Sequence, residues 1–166
     1  FQSHGVGSKR QPYEESIKVP FIIRWPGRVP AGAGTPRLFG TIDIMPTLCA
    51  LAGVEIPGGC DGQDFSGVLM GGTGPDPASQ FIMHISKLNS SWGNDHPAPR
   101  FRGVTTGAHT YAHSREVPSM LFDNQADPYQ MVNRYGDASL AAIQDELAEM
   151  TEAWLSRAED PYGGCD

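Results

Sequence analysis

Apolar residues crowd the chain at Val19, Phe21, Ile22, Ile23 and Trp25, just before the turn residues Pro26 and Gly27. A nearly unbroken run of this kind predicts a strand over residues 19–25 buried on both faces, as in a parallel sheet covered by helices. After a loop over residues 26–36, the spacing of Ile44, Leu48 and Leu51 predicts a helix whose apolar side packs on that sheet. Asp43 is its expected N-cap. Pro46 falls in the first turn, where a missing amide hydrogen is harmless, and Gly53 is the expected left-handed residue past the end. Residues 58–77 read as a second loop region holding a short helical turn near residues 65–70.

From Gln80 onward the period shortens. Residues 81–85, 101–105, 110–113 and 120–122 are brief and apolar or β-branched, which predicts four strands. A hairpin turn is expected over residues 107–109, and the close succession of the strands predicts one antiparallel sheet. Residues 139–157 then predict an amphipathic helix lying across it. Leu140, Ile143, Leu147, Met150 and Trp154 recur at steps of three and four, while Asp145, Glu146, Glu149 and Glu152 take other faces. Residues 160–166 read as a mobile tail. No internal repeat is visible.

Composition narrows the function classes. The 166 residues carry 12 Lys and Arg against 19 Asp and Glu, a formal charge of −7, and the basic residues are scattered. That balance argues against a nucleic-acid partner, which calls for clustered cations. No run of 18 apolar residues encodes a membrane span. The opening FQSHGVGSKRQ lacks the apolar core of a signal peptide. Cys49, Cys60 and Cys165 are odd in number and have no zinc-type spacing, so neither a disulfide framework nor a zinc site is expected. His84, His96, His109 and His113 do not combine into a metal site either. Only His109 and His113 are four apart, and in a strand that offset separates them widely.

The candidate chemistry lies ahead of the first apolar run. Lys9 in a loop at a sheet edge can hold a sulfate or phosphate oxygen by charge and hydrogen bonding, and His4 can donate a proton or a hydrogen bond to a leaving group. Arg10 is an alternative cation. Tyr13 and Glu14 read as structural, with Glu14 pairing to a neighbouring cation. Residues 87–99 form a long polar loop around Trp92.

These positions carry a resemblance. Lys9, Tyr13 and Glu14, followed by VPFIIRWPG, are similar to the sulfatase pattern of a lysine, an aromatic and an acid before VPxIIxWPG, and SHG at residues 3–5 is similar to GSHG or GEHG. TIDIMPTLCALAGV (41–54), DGQDFSGVL (61–69), FRGVTTGAHTYA (101–112) and LFDNQADPYQMVN (121–133) resemble further sulfatase segments in the same order. The chain thus resembles the C-terminal portion of an arylsulfatase-type enzyme of the alkaline-phosphatase-like superfamily. The resemblance implies an α/β fold: the edge of an alkaline-phosphatase-like sheet, then a small antiparallel four-stranded sheet packed by a C-terminal helix. It implies a catalytic-domain end over residues 1–78, a small subdomain over 79–159 and a tail over 160–166.

The implied activity is sulfate ester hydrolysis, with Lys9 and His4 as the substrate-contacting residues. The implied cofactors are calcium and a formylglycine nucleophile. No C-x-P-S-R or S-x-P-S-R formylglycine motif occurs in these 166 residues, nor does the family's Asp-Asp calcium pair. Nucleophile and calcium ligands are therefore expected in a missing N-terminal portion, and the chain alone is expected to be inactive. Phosphate or phosphonate monoester hydrolysis on the same fold, or a non-catalytic binding module, are the alternatives.

Overall fold

The computed structural model describes residues 4–5, 10–85 and 99–162. They form two compact units, one drawn from residues 1–19 with 81–166 and the other from residues 20–80.

The first unit contains the four-stranded sheet expected from the sequence. Strands β1 (Gln80–His84), β2 (Phe101–Thr105), β3 (His109–His113) and β4 (Met120–Asp123) follow one another in spatial order. β2 and β3 pair antiparallel with Thr105 opposite Thr110, and β3 and β4 pair antiparallel with Thr110 opposite Phe122. The hairpin closes where expected. Thr106 N–H bonds the His109 carbonyl at 3.0 Å, and Gly107 takes the left-handed backbone (φ +80°) that a side chain would disfavour.

Because side chains alternate across a strand, the two faces of this sheet do different work. Val104, Tyr111 and Leu121 lie in register on one face and pack with Leu147 of the C-terminal helix α4 (Ala141–Arg157). Complete burial of such side chains stabilises the fold by about 2 kcal/mol each. Leu140, Ile143, Met150 and Trp154 flank this core. The innermost line of the helix is Leu147, Thr151 and Leu155, which differs from the stripe read from apolar spacing. A threonine can occupy that line because its Oγ1 donates to the Leu147 carbonyl at 2.8 Å, leaving no unpaired hydroxyl.

Residues 160–162, read from the sequence as part of a mobile tail, are pinned. The guanidinium of Arg102 holds the Asp160 carboxylate through Nε at 2.6 Å and Nη2 at 3.1 Å, and lies 4.4 Å above the Tyr162 ring. The Tyr162 hydroxyl donates to the Arg100 carbonyl at 2.9 Å.

The second unit centres on Asp43, Thr47 and Phe65, all buried. Helix α2 (Ile44–Ala52) ends as expected: Gly53 has φ +69°, with Gly53 N–H bonding Ala50 and Val54 N–H bonding Cys49. Asp43 stands at its N-cap position as expected, but not as a side-chain cap. A 3-10 turn, Thr41–Asp43, precedes the helix, so Asp43 already has helical dihedrals and its side chain caps nothing in α2. The carboxylate instead accepts from Gly40 N and Gln63 N, each at 2.7 Å, and from Gln80 Nε2 at 3.1 Å. The inward face also differs. Pro46 and Thr47 are buried, whereas Leu48 of the expected apolar side is exposed. Thr47 accepts from Phe65 N and donates to the Gln63 carbonyl, which explains a polar residue on that face. The short helix α3 (Ser66–Leu69) lies where the sequence placed a helical turn.

The strand expected over residues 19–25 is not one. The segment carries no strand ladder, and Val19, Phe21, Ile22 and Trp25 are 52%, 42%, 89% and 38% exposed. A strand buried on both faces requires neighbours on both edges and both faces, and apolar content alone supplies none. Within the second unit, Phe21 packs against Phe39 at 4.6 Å, and Phe39 meets Phe65 edge-on at 5.2 Å.

Candidate functional site

The N-terminal segment occupies the sheet face opposite α4, where Thr110 and Phe122 stand in register. Buried Pro12 leads into extended Tyr13 (φ −79°, ψ 147°), and one helical turn, α1 (Glu14–Ile17), follows. Tyr13 caps that turn by accepting Ser16 N–H at 2.7 Å on its carbonyl. The turn fans three consecutive side chains, each with a distinct contact.

Tyr13 packs on Phe122 at 5.6 Å and carries the His4 imidazole stacked at 3.7 Å with an interplanar angle of 4°. Glu15 reaches His4 Nε2 at 3.2 Å. A carboxylate only accepts, so Nε2 carries the hydrogen and Nδ1 is the nitrogen left for another group. His4 is thereby fixed in plane and tautomer, with its side chain 12% exposed. Burial, and next the charge of Glu15, push the Tyr13 phenol above its ordinary pKa.

Glu14 enters the sheet. Its backbone N–H donates to Gln130 Oε1 at 2.7 Å, and its carboxylate lies 3.5 Å from Thr110 Oγ1. Its expected pairing with a cation is present: Lys18 Nζ lies 3.4 Å away, with the lysine side chain exposed. Such a pair contributes little. Gln130 Nε2 continues to Asn124 Oδ1 at 2.9 Å, and Asn124 Nδ2 to Thr110 Oγ1 at 2.9 Å. None of Thr110, Asn124, Gln130 or Glu15 was singled out from the sequence. The DPYQ turn lay inside a recognised segment, but nothing in its pattern pointed 116 positions upstream.

Of the two residues expected to contact substrate, His4 is placed by these contacts and Lys9 lies outside the described residues. Arg10 is half-buried. Beside it, Gln11 Oε1 is buried without a partner among the described residues, an acceptor still owed a donor. The loop residues 87–98, His96 and Cys165 also lie outside them. His84 stacks on Phe101 at 6.3 Å, and His113 Nδ1 lies 3.2 Å from Ser119 Oγ. Among the described residues no group of three or more His, Cys, Asp or Glu is placed to hold a metal ion. Cys49 and Cys60 are free, half-buried thiols.

Residues 2–156 match the family model for N-sulphoglucosamine sulphohydrolase, C-terminal. An ulvan-active sulfatase of Formosa agariphila is 33% identical over 162 residues, which is 95% of this chain and 30% of that protein. A solved structure described as a complex with its substrate D-glucosamine-2-N,6-O-disulfate aligns with TM-score 0.74 at 26% identity, covering 85% of this chain and 28% of that one. A phosphonate monoester hydrolase from Silicibacter pomeroyi aligns with TM-score 0.65 at 25% identity, covering 81% and 28%. The chain thus spans under a third of the length of these relatives. With nearly its whole length inside the family match, it belongs to the sulfatases of the alkaline-phosphatase-like superfamily, as a C-terminal portion.

Proposed function

We propose that this chain forms one wall of the substrate pocket of a sulfuric ester hydrolase, with Lys9 and His4 facing the sulfate ester. The nucleophile and metal ligands then belong to the part of the relatives' length that the chain does not span, and the chain alone is inactive. The observation that carries the reading is the family match over residues 2–156, which takes in the whole His4–Glu15 segment.

Transfer of a sulfuryl group leaves negative charge on the departing oxygen. An ammonium at Lys9 neutralises charge on the transferring group, and one such contact is worth about 3 kcal/mol in the transition state. With Nε2 committed to Glu15, protonated His4 has Nδ1–H to give to the leaving oxygen. The names of the relatives favour a sulfated sugar as substrate, since one acts on ulvan and another was solved with a glucosamine disulfate.

The phosphonate monoester hydrolase among the structural neighbours supports a second reading, in which the transferred group is phosphoryl. Turnover of a glucosamine sulfate and of a phosphonate monoester by the complete enzyme separates them. Sulfate ester hydrolysis at the higher kcat/KM is expected. A preference for the phosphonate would overturn the sulfatase reading for this protein.

A further inference from the structure

The turn that holds His4 is fastened at its middle residue. Tyr13 stacks on His4 and Glu15 bonds it, while Glu14 between them closes a ring with the side chains of Gln130, Asn124 and Thr110 through its N–H and its carboxylate. The direction of the amide hydrogen bonds in that ring follows from the Glu14 N–H. Glu14 N–H can only donate, so Gln130 must present Oε1 to it and Nε2 to Asn124. Asn124 then presents Oδ1 to Gln130 and Nδ2 to Thr110 Oγ1. The Thr110 hydroxyl hydrogen is left for two acceptors, Asn124 Oδ1 at 3.3 Å and the Glu14 carboxylate at 3.5 Å. Both amide orientations are fixed, with no donor facing a donor.

Gln130 is the least replaceable member. It is 2% exposed and keeps a left-handed backbone (φ +52°) unusual outside glycine, Asn and Asp. A turn in which Gln130 N–H bonds the Asp127 carbonyl at 2.9 Å, and Asp127 Oδ2 accepts Val132 N–H at 2.8 Å, sets that conformation. An uncommon backbone and a buried amide side chain are together committed to one distant N–H.

We propose that Gln130 is a positioning residue for hydrolysis: through Glu14 it sets the plane and place of His4. Stacking and the Glu15 contact orient His4 relative to the turn, and the Gln130 amide orients the turn relative to the sheet. This deepens the proposed function and rests on its assignment of the His4 segment to the pocket.

Gln130→Met removes the acceptor at similar size, and Gln130→Glu restores an acceptor for Glu14 N–H. In the 166-residue chain, amide hydrogen exchange and the His4 ring resonances are the readouts. With Gln130→Met, exchange at Glu14 is expected to rise at least about tenfold relative to the β3 amides, the scale of one lost hydrogen bond. The ring-current shift of His4 is expected to shrink, and Gln130→Glu to recover most of both. A purely structural role would speed exchange at Glu14 and in β3 alike with His4 unshifted, and that result would overturn the proposal. In the complete enzyme, Gln130→Met is expected to lower kcat with KM nearly unchanged. Unchanged kcat beside a released His4 would sink the assignment of this segment to the pocket and leave the tether standing.

Discussion

The imidazole of His4 lies flat on the phenol of Tyr13, 3.7 Å away and 4° from parallel, and the same phenol leans on Phe122 of β4. The histidine is therefore registered to the sheet through an aromatic ring. Tyr13→Phe keeps the ring and is expected to keep His4 in place. Tyr13→Ala is expected to cost the complete enzyme about a hundredfold in kcat, the lower end of what general acid catalysis contributes and so of what misplacing the proposed donor His4 loses. Steady-state kinetics of the two variants check this.

The raised pKa of Tyr13 has a signed consequence for stability. Its phenolate is disfavoured in the folded state, so the group's contribution is complete below the unfolded value of 10.0 and is lost as pH rises above it. Denaturant midpoints of the chain at pH 9 and pH 11 are expected to differ less in Tyr13→Phe than in the parent sequence. Glu15→Gln is expected to lower the phenol's titration midpoint only in part, since burial is the larger cause.

Arg102 and Asp160 give the opposite sign. Their side chains are 7% and 10% exposed, and the hydrogen bonds from Arg102, then that from Tyr162 N–H, hold the Asp160 carboxyl below the usual carboxylate range. That contribution is present above pH 3.8 and fades as pH falls through the depressed value. Asp160→Asn leaves a buried guanidinium without its counter-charge and is expected to cost about 3 kcal/mol by urea denaturation near neutral pH. The difference from the parent is expected to narrow in acid.

Asp137 is held lower still, to about 2, by the Ser139 hydroxyl and N–H and by Arg134. Carboxyl NMR titration should find that midpoint, and Ser139→Ala should raise it.

Gly103 in β2 has no room for a side chain. A Cβ there would run into the Tyr111 carbonyl and sit 2.7 Å from Ala112 Cα, its register partner in β3. Gly103→Ala is expected to destabilise the chain by about 2 kcal/mol through forced separation of the two strands. A thermal melt measures it.

Local pattern was legible where local pattern decides structure. The four short strands, the turn at Gly107, the Gly53 helix stop and the C-terminal helix follow from periodicity and turn chemistry and are present. Polar residues committed to distant partners were opaque. Thr151 on the inner line of α4, Asp43 holding Gln63 and Gln80, and Gln130 holding Glu14 look like surface residues in sequence, because their burial depends on hydrogen bonds to other segments. The apolar run at residues 19–25 failed for the reverse reason: hydrophobicity announces a need for cover without stating what supplies it. At the site, motif spacing marked His4 and Tyr13, while Glu15 and the contacts that fix His4 came from the structure.

The most direct test of the proposed role is kcat/KM of the complete enzyme for a sulfate ester, with and without Lys9→Ala. The predicted result is a fall of about a hundredfold or more, the scale of one lost contact to a developing oxyanion. An unchanged value would contradict the assignment of this N-terminal segment to the sulfate pocket.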